Sequence, residues 1–118
     1  NDMVNTVARY KILQQVQRYR DNIAIAVIEE PQDRIVAAQA ADEMLNIVGI
    51  QASIVIYPNG NGGVIISARS IGEVNVQLLL EDLGGGGNRS SAGVQLGDVS
   101  LREGAERLFA AIDKYFQE

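Results

Sequence analysis

The chain contains no cysteine and no histidine among its 118 residues. Disulfides are therefore excluded, and so are the two side chains that dominate zinc and other transition-metal sites. No His or Cys is on hand for a nucleophile–base pair either. No apolar run reaches the ~20 residues needed to span a bilayer. Residues Asn1 to Thr6 carry no signal-peptide pattern. Positive charge is also scarce, with ten basic residues against fifteen acidic ones and a net charge of −5. That balance argues against broad affinity for long nucleic acid, which rests on neutralising phosphates. An acidic chain that binds an anion must gather its few arginines at the ligand. The lack of cysteine fits a bacterial cytoplasm, and the lack of Met at position 1 suggests a piece of a longer protein.

What is present is enough for one core. Hydrophobic residues make up 47% and charged residues 21%, the proportions of a single globular domain. Ile12, Leu13, Val16 and Tyr19 recur at three to four residues, which predicts a helix over 6–20. Residues 1–21 read as a connector from a preceding domain, and residues 22–118 as the domain proper. Asn22 to Ile28 reads as an interior strand, apolar on both faces. Pro31 is suited to the first turn of an Ala-rich helix over 32–48, stopped by Gly49.

Gln51–Tyr57 and Val64–Ser70 are β-branched runs. The intervening Pro58-Asn59-Gly60-Asn61-Gly62-Gly63 makes them a hairpin. A helix over 73–83, a strand over 93–99 and a final helix follow. Ser100 and Glu103 form a capping box at the start of that last helix. The fold class is α/β, a mixed sheet of about five strands with helices packed on its faces, in a single domain.

Two segments stand out. Gly84-Gly85-Gly86-Gly87-Asn88-Arg89-Ser90-Ser91 is costly to order, because each glycine loses more backbone freedom than any other residue. A helix stop needs only one. The run suits close backbone approach to an anion, with successive N–H groups forming a nest and a short helix starting at Ser90 or Ser91. A nucleotide-binding P-loop is excluded, since a helix precedes the loop and Asn88-Arg89-Ser90 replaces Gly-Lys-Ser/Thr. A Rossmann reading fails because Glu29-Glu30-Pro31 has no glycine. In the second segment, alternation places Ser67 and Arg69 on one face of their strand. An arginine there can clamp a phosphate, or simply pair with Glu73 or Asp82. The acids Glu29, Glu30, Asp33, Asp42, Glu81 and Asp82 read as solvated residues, not as metal ligands.

Ser67-Ala68-Arg69-Ser70, the helix beginning Gly72-Glu73-Val74-Asn75-Val76, and Leu83 to Leu96 together resemble the DHH-associated domain of DHH-family phosphoesterases. The resemblance is nearest the version in bacterial cyclic-di-AMP phosphodiesterases and covers about Asn22 to Phe116. It implies a two-part enzyme. A preceding DHH domain would bind two manganese ions and generate the attacking hydroxide, while this domain holds the nucleotide and itself supplies no catalytic or metal-ligating residue. Arg69 would contact phosphate, with Ser67 and Ser70 beside it, and Gly84, Gly85, Gly86, Gly87, Asn88 and Arg89 would complete the substrate site. The family's loop continues Gly-Gly-Gly-His, and Asn88 stands where that His contacts phosphate; it can donate a neutral hydrogen bond but carries no charge.

The implied ligand is cyclic di-AMP or a short linear dinucleotide. The implied partner is the DHH domain, with a possible homodimer through the parent and a membrane anchor upstream of a cytoplasmic domain. Alternatives are a short-oligoribonucleotide phosphatase or RecJ-like exonuclease, and a non-catalytic binding domain.

Overall fold

Six strands form one sheet, one strand more than expected, in the computed structural model, which describes residues 2–117. In chain order the elements are α1 (Asp2–Leu13), β1 (Val16–Tyr19), β2 (Ile23–Val27), α2 (Arg34–Met44), β3 (Ala52–Pro58) and β4 (Val64–Ser70). There follow α3 (Val76–Leu79), a 3₁₀ turn (Glu81–Leu83), β5 (Gly86–Asn88), β6 (Ser91–Leu96) and α4 (Leu101–Tyr115). The strand order is β1-β2-β3-β4-β6-β5. Only β2 and β3 are parallel, joined through α2 as a β-α-β crossover. Every other pair is antiparallel, so the sheet is mixed, as the embedded hairpin required.

Two cores sandwich the sheet. On one face Ile23, Ile25, Ile54, Ile56, Val64 and Ile66 meet Val76, Leu79 and Leu80, and Leu108 and Ile112 of α4. On the other, Ala24, Ala26, Val55 and Tyr57 meet the alanine face of α2 and Ile12 of α1. The alanines let α2 lie close: the buried Ser53 hydroxyl donates to the carbonyl of Ala41. Gly104 does the same for α4, since a Cβ there would stand 2.8 Å from Val64 Cγ2.

Several boundaries differ from expectation. The helix expected over 6–20 ends at Leu13, and Val16–Tyr19 forms an edge strand on β2. The helix expected over 32–48 starts at Arg34, because the Asp33 carboxylate caps it by accepting from the N–H groups of Ile35 and Val36; Pro31 lies before the cap. The helix expected over 73–83 is a single turn capped by Asn75, continued as the 3₁₀ turn. The strand expected over 93–99 runs from Ser91 to Leu96. Ser100 caps α4 through the N–H of Glu103, whose carboxylate turns to Arg107, so half of the capping box forms. Among the described residues no helix is long and apolar enough to cross a membrane.

Candidate functional site

Helix α2 packs on β3 and β4 and stops short of the sheet edge, leaving the adjoining surface of β6 and β5 as the floor of an open groove. Its cavity is about 490 Å³, bounded by Arg34 and Ala38 of α2 and floored by residues of β4, β5 and β6.

Cross-strand register organises that floor into rows. One row runs Asn88–Ser91–Arg69–Ser53, from β5 through β6 and β4 to β3. The next runs Gly86–Gly93–Ser67–Val55. A third joins Gln95, Ile65 and Tyr57. Residues directly opposite one another share a face, so the middle row is nearly bare backbone between a cationic row and an aromatic one.

Arg69 is held in place within its row. Its Nε lies 3.2 Å from Asp42 Oδ1, not near Glu73 or Asp82 as its alternative pairing would have it. Nη1 donates to the carbonyl of Ala68 at 2.9 Å and to Ser67 Oγ at 3.4 Å. Nη2 has no partner among the described residues. The guanidinium is thus oriented by three acceptors and keeps one edge for a ligand, the arrangement that suits forked recognition of a phosphate.

The glycine run divides by role. Gly84 has φ +80 and caps the 3₁₀ turn in the left-handed region. A Cβ at Gly85 would stand 2.8 Å from Leu80 Cβ. At Gly87, with φ +136, it would stand 2.3 Å from the Ser91 carbonyl oxygen and 2.7 Å from Ala92 Cα. These three are required by the fold. Gly86 is not: its φ is ordinary and a Cβ there would meet nothing within 4 Å.

The anion nest does not form as expected. The N–H groups of Gly84 and Gly85 already donate to the carbonyls of Glu81 and Leu80, and Gly86–Asn88 pairs with β6 as an edge strand. Nor does a helix start at Ser90 or Ser91, because Ser91 opens β6.

The structure brings together Ser67, Arg69, Gly84, Gly86 and Gly87, with Ser91 joining them. The other expected residues do not line the cavity. Ser70 is on the opposite face, its hydroxyl bonded to the Val74 carbonyl. Gly85 packs on Leu80. Arg89 points back to the carbonyls of Gly72 and Glu73, 3.2 Å from each. Asn88 Oδ1 accepts from the N–H groups of Ser90 and Ser91 and from the Ser90 hydroxyl, closing the β5–β6 turn.

Two groove residues escaped the sequence reading. Tyr57 is 1% exposed, and its hydroxyl has no hydrogen-bond partner among the described residues. Burial raises its pKa, the nearby Arg34 charge opposes that shift, and Asp33 reinforces it. Arg34 itself carries a legible signal. It is the first residue of α2, where the helix dipole disfavours a cation, and its guanidinium makes no ion pair or hydrogen bond among the described residues.

Residues 20–118 match the DHHA1 domain. The chain belongs to that family. The chain is 42% identical over 118 residues to the cyclic-di-AMP phosphodiesterase PdeA of Listeria monocytogenes, covering 98% of this chain and 18% of that protein. It is 44% identical over 115 residues to the cyclic-di-AMP phosphodiesterase GdpP of Bacillus subtilis, covering 94% of this chain and 18% of that protein. The chain therefore spans under a fifth of the length of these curated relatives. Among solved structures, an exopolyphosphatase-related protein of Bacteroides fragilis superimposes with a TM-score of 0.77 at 20% identity, over 94% of this chain and 34% of that one. The pGpG-specific phosphodiesterase PggH of Vibrio gives a TM-score of 0.62 at 14% identity, over 94% of this chain and 38% of that one. Both are likenesses of fold.

The chain has no His or Cys, and no three acidic residues converge among those described.

Proposed function

We propose that this DHHA1 domain is the substrate-holding half of a phosphodiesterase acting on a small adenine dinucleotide, cyclic di-AMP first among them. The observation that carries this reading is Gly86. It is a glycine that neither torsion nor packing demands, and it faces an open groove beside the oriented Arg69 guanidinium. A bare strand surface lets a phosphate and sugar come to backbone distance while the free edge of Arg69 neutralises charge. The identity to two cyclic-di-AMP phosphodiesterases supports the choice of ligand. Hydrolysis belongs to chain outside these residues, where a DHH domain with manganese would supply the nucleophile. Here Arg69, Ser67 and the glycine strip bind and orient, and the wall of α2 limits how far the ligand can slide.

The test is a titration of the chain with cyclic di-AMP and the linear adenine dinucleotide, followed at backbone amides, with Arg69→Ala as control. Shifts at Gly86, Gly87, Gly93 and around Arg69, lost in the variant, are expected. The absence of shifts at millimolar ligand, both in this chain and in the longer protein that contains it, would refute the reading.

A further inference from the structure

The groove has a second end that phosphate binding at Arg69 leaves unused. Arg69 and Ile65 are four residues apart on β4, so their rows are roughly 13 Å apart at ~3.3 Å per residue. Helix α2 runs over the same interval. Asp42, beside Arg69, and Arg34 are eight residues apart, or roughly 12 Å at ~1.5 Å per residue. The far end is therefore built from Tyr57, Ile65 and Gln95 of the sheet with Arg34 above them.

Three features there have no structural purpose. The Tyr57 hydroxyl is buried without a hydrogen-bond partner among the described residues, a state that costs free energy unless something accepts from it. The Arg34 guanidinium has no ion pair or hydrogen bond among the described residues, and it is close enough to Tyr57 for its charge to act on the phenol. Arg34 also occupies the helix position where a cation is least favoured and an anion most. A bound anion would resolve all three. It would accept from the phenol, neutralise the arginine and sit at the N-terminal end of an eleven-residue helix.

We propose that the Arg34–Tyr57 end is a second phosphoryl-binding subsite, so that the groove takes a ligand carrying two phosphoryl groups, one at each arginine, across the bare strip between them. This rests on the nucleotide reading of the Arg69 end and extends it. A mononucleotide would use the Arg69 end alone, while a dinucleotide with two phosphoryl groups would engage both. Discrimination would come from the spacing of two cations on a rigid strand and helix, with no need to read a base.

The experiment compares AMP with the 5′-phosphorylated linear adenine dinucleotide by calorimetry at low salt, on the wild-type chain and on Arg34→Gln, Tyr57→Phe and Arg69→Gln. Arg34 is exposed and Tyr57→Phe removes one oxygen, so these variants keep the fold; unchanged thermal unfolding confirms it. The expected result is that Arg34→Gln weakens the dinucleotide about tenfold, or ~1.4 kcal/mol, and leaves AMP unchanged. Tyr57→Phe should do the same to a smaller degree, and Arg69→Gln should weaken both ligands. Equal weakening of AMP and dinucleotide by Arg34→Gln, or no effect on either, overturns the second subsite while leaving the Arg69 site standing. Failure of both ligands to bind at millimolar concentration, in the wild-type chain and in the longer protein that contains it, overturns the nucleotide reading itself, and the subsite with it.

Discussion

Substituting alanine at two neighbouring glycines should separate the residues that build the groove from the one that keeps it open. At Gly87 the added methyl is forced to φ +136 and to within 2.3 Å of the Ser91 carbonyl oxygen. Left-handed strain costs about 1–3 kcal/mol, and relieving the contact requires β5 to move off β6, so a loss of about 2–4 kcal/mol is expected. At about 4 °C per kcal/mol for a chain of this size, that is a fall in Tm of roughly 8–16 °C. At Gly86 the methyl meets nothing, and the unfolded chain loses freedom, so stability should hold or rise by about 0.4–1 kcal/mol. The same methyl projects over the bare row beside Gly93 and Ser67, where overpacking against a bound phosphate of about 1–3 kcal/mol would weaken the ligand roughly five- to 150-fold. Thermal unfolding and calorimetric titration of both variants decide the matter. If Gly86→Ala binds the dinucleotide as tightly as wild type, close backbone approach is not what the glycine provides. If Gly87→Ala melts with wild type, the division of the run into structural and open glycines is wrong.

Two further outcomes follow from the polar contacts. Asn88→Ala should destabilise the domain by about 0.5–1.5 kcal/mol, since it removes the bonds that Oδ1 accepts from three exposed donors and leaves those donors to water. Asn88→His should recover less than half of that, because imidazole cannot accept all three; urea unfolding of the pair measures it, and full stability in Asn88→His would refute the turn-closing role. Asp113 Oδ1 accepts from Tyr19 Oη at 2.7 Å and Arg20 Nε at 3.0 Å, tying the β1–β2 hairpin to α4. These two donors hold the Asp113 carboxyl below its usual 3.8, the Tyr19 hydroxyl most of all. A lowered folded pKa gives stability that is complete above the ordinary carboxylate value and lost as pH falls through the folded one. Asp113→Asn should therefore lower Tm at neutral pH and converge with wild type in acid, whereas a pH-independent offset would contradict the linkage.

The physics of local signals explains which parts could be read in advance. The β3–β4 hairpin announced itself because its turn residues do the work: Asn59 Oδ1 accepts from the N–H groups of Asn61 and Gly63. The β1–β2 hairpin did not, because its turn places Arg20 and Asp21 at φ 53 and 65 with no glycine to mark it. Val16 and Tyr19 also continued the spacing of the preceding helix, and four residues are too few for a period of two to show. Arg69 and Ser67 were placed correctly by alternation alone. Ser70 could not be, since a motif read as adjacent letters ignores that successive side chains leave a strand on opposite faces. Gly86–Asn88 gave no sign of a strand because glycine has little strand preference; its pairing is imposed by β6. Arg34 lay within reach of the dipole argument, but its meeting with Tyr57 depends on how α2 crosses the sheet.

The groove is assembled from residues that span Arg34 to Gln95 and belong to one helix and four strands. No contiguous peptide contains it, and no local rearrangement can make it. Ligand binding should therefore be linked to the folding of the whole sheet, with the Tm rising in step with RT ln(1 + [L]/Kd). A variant destabilised far enough to be partly unfolded would lose apparent affinity in proportion to its folded fraction, even when its mutation lies far from either arginine.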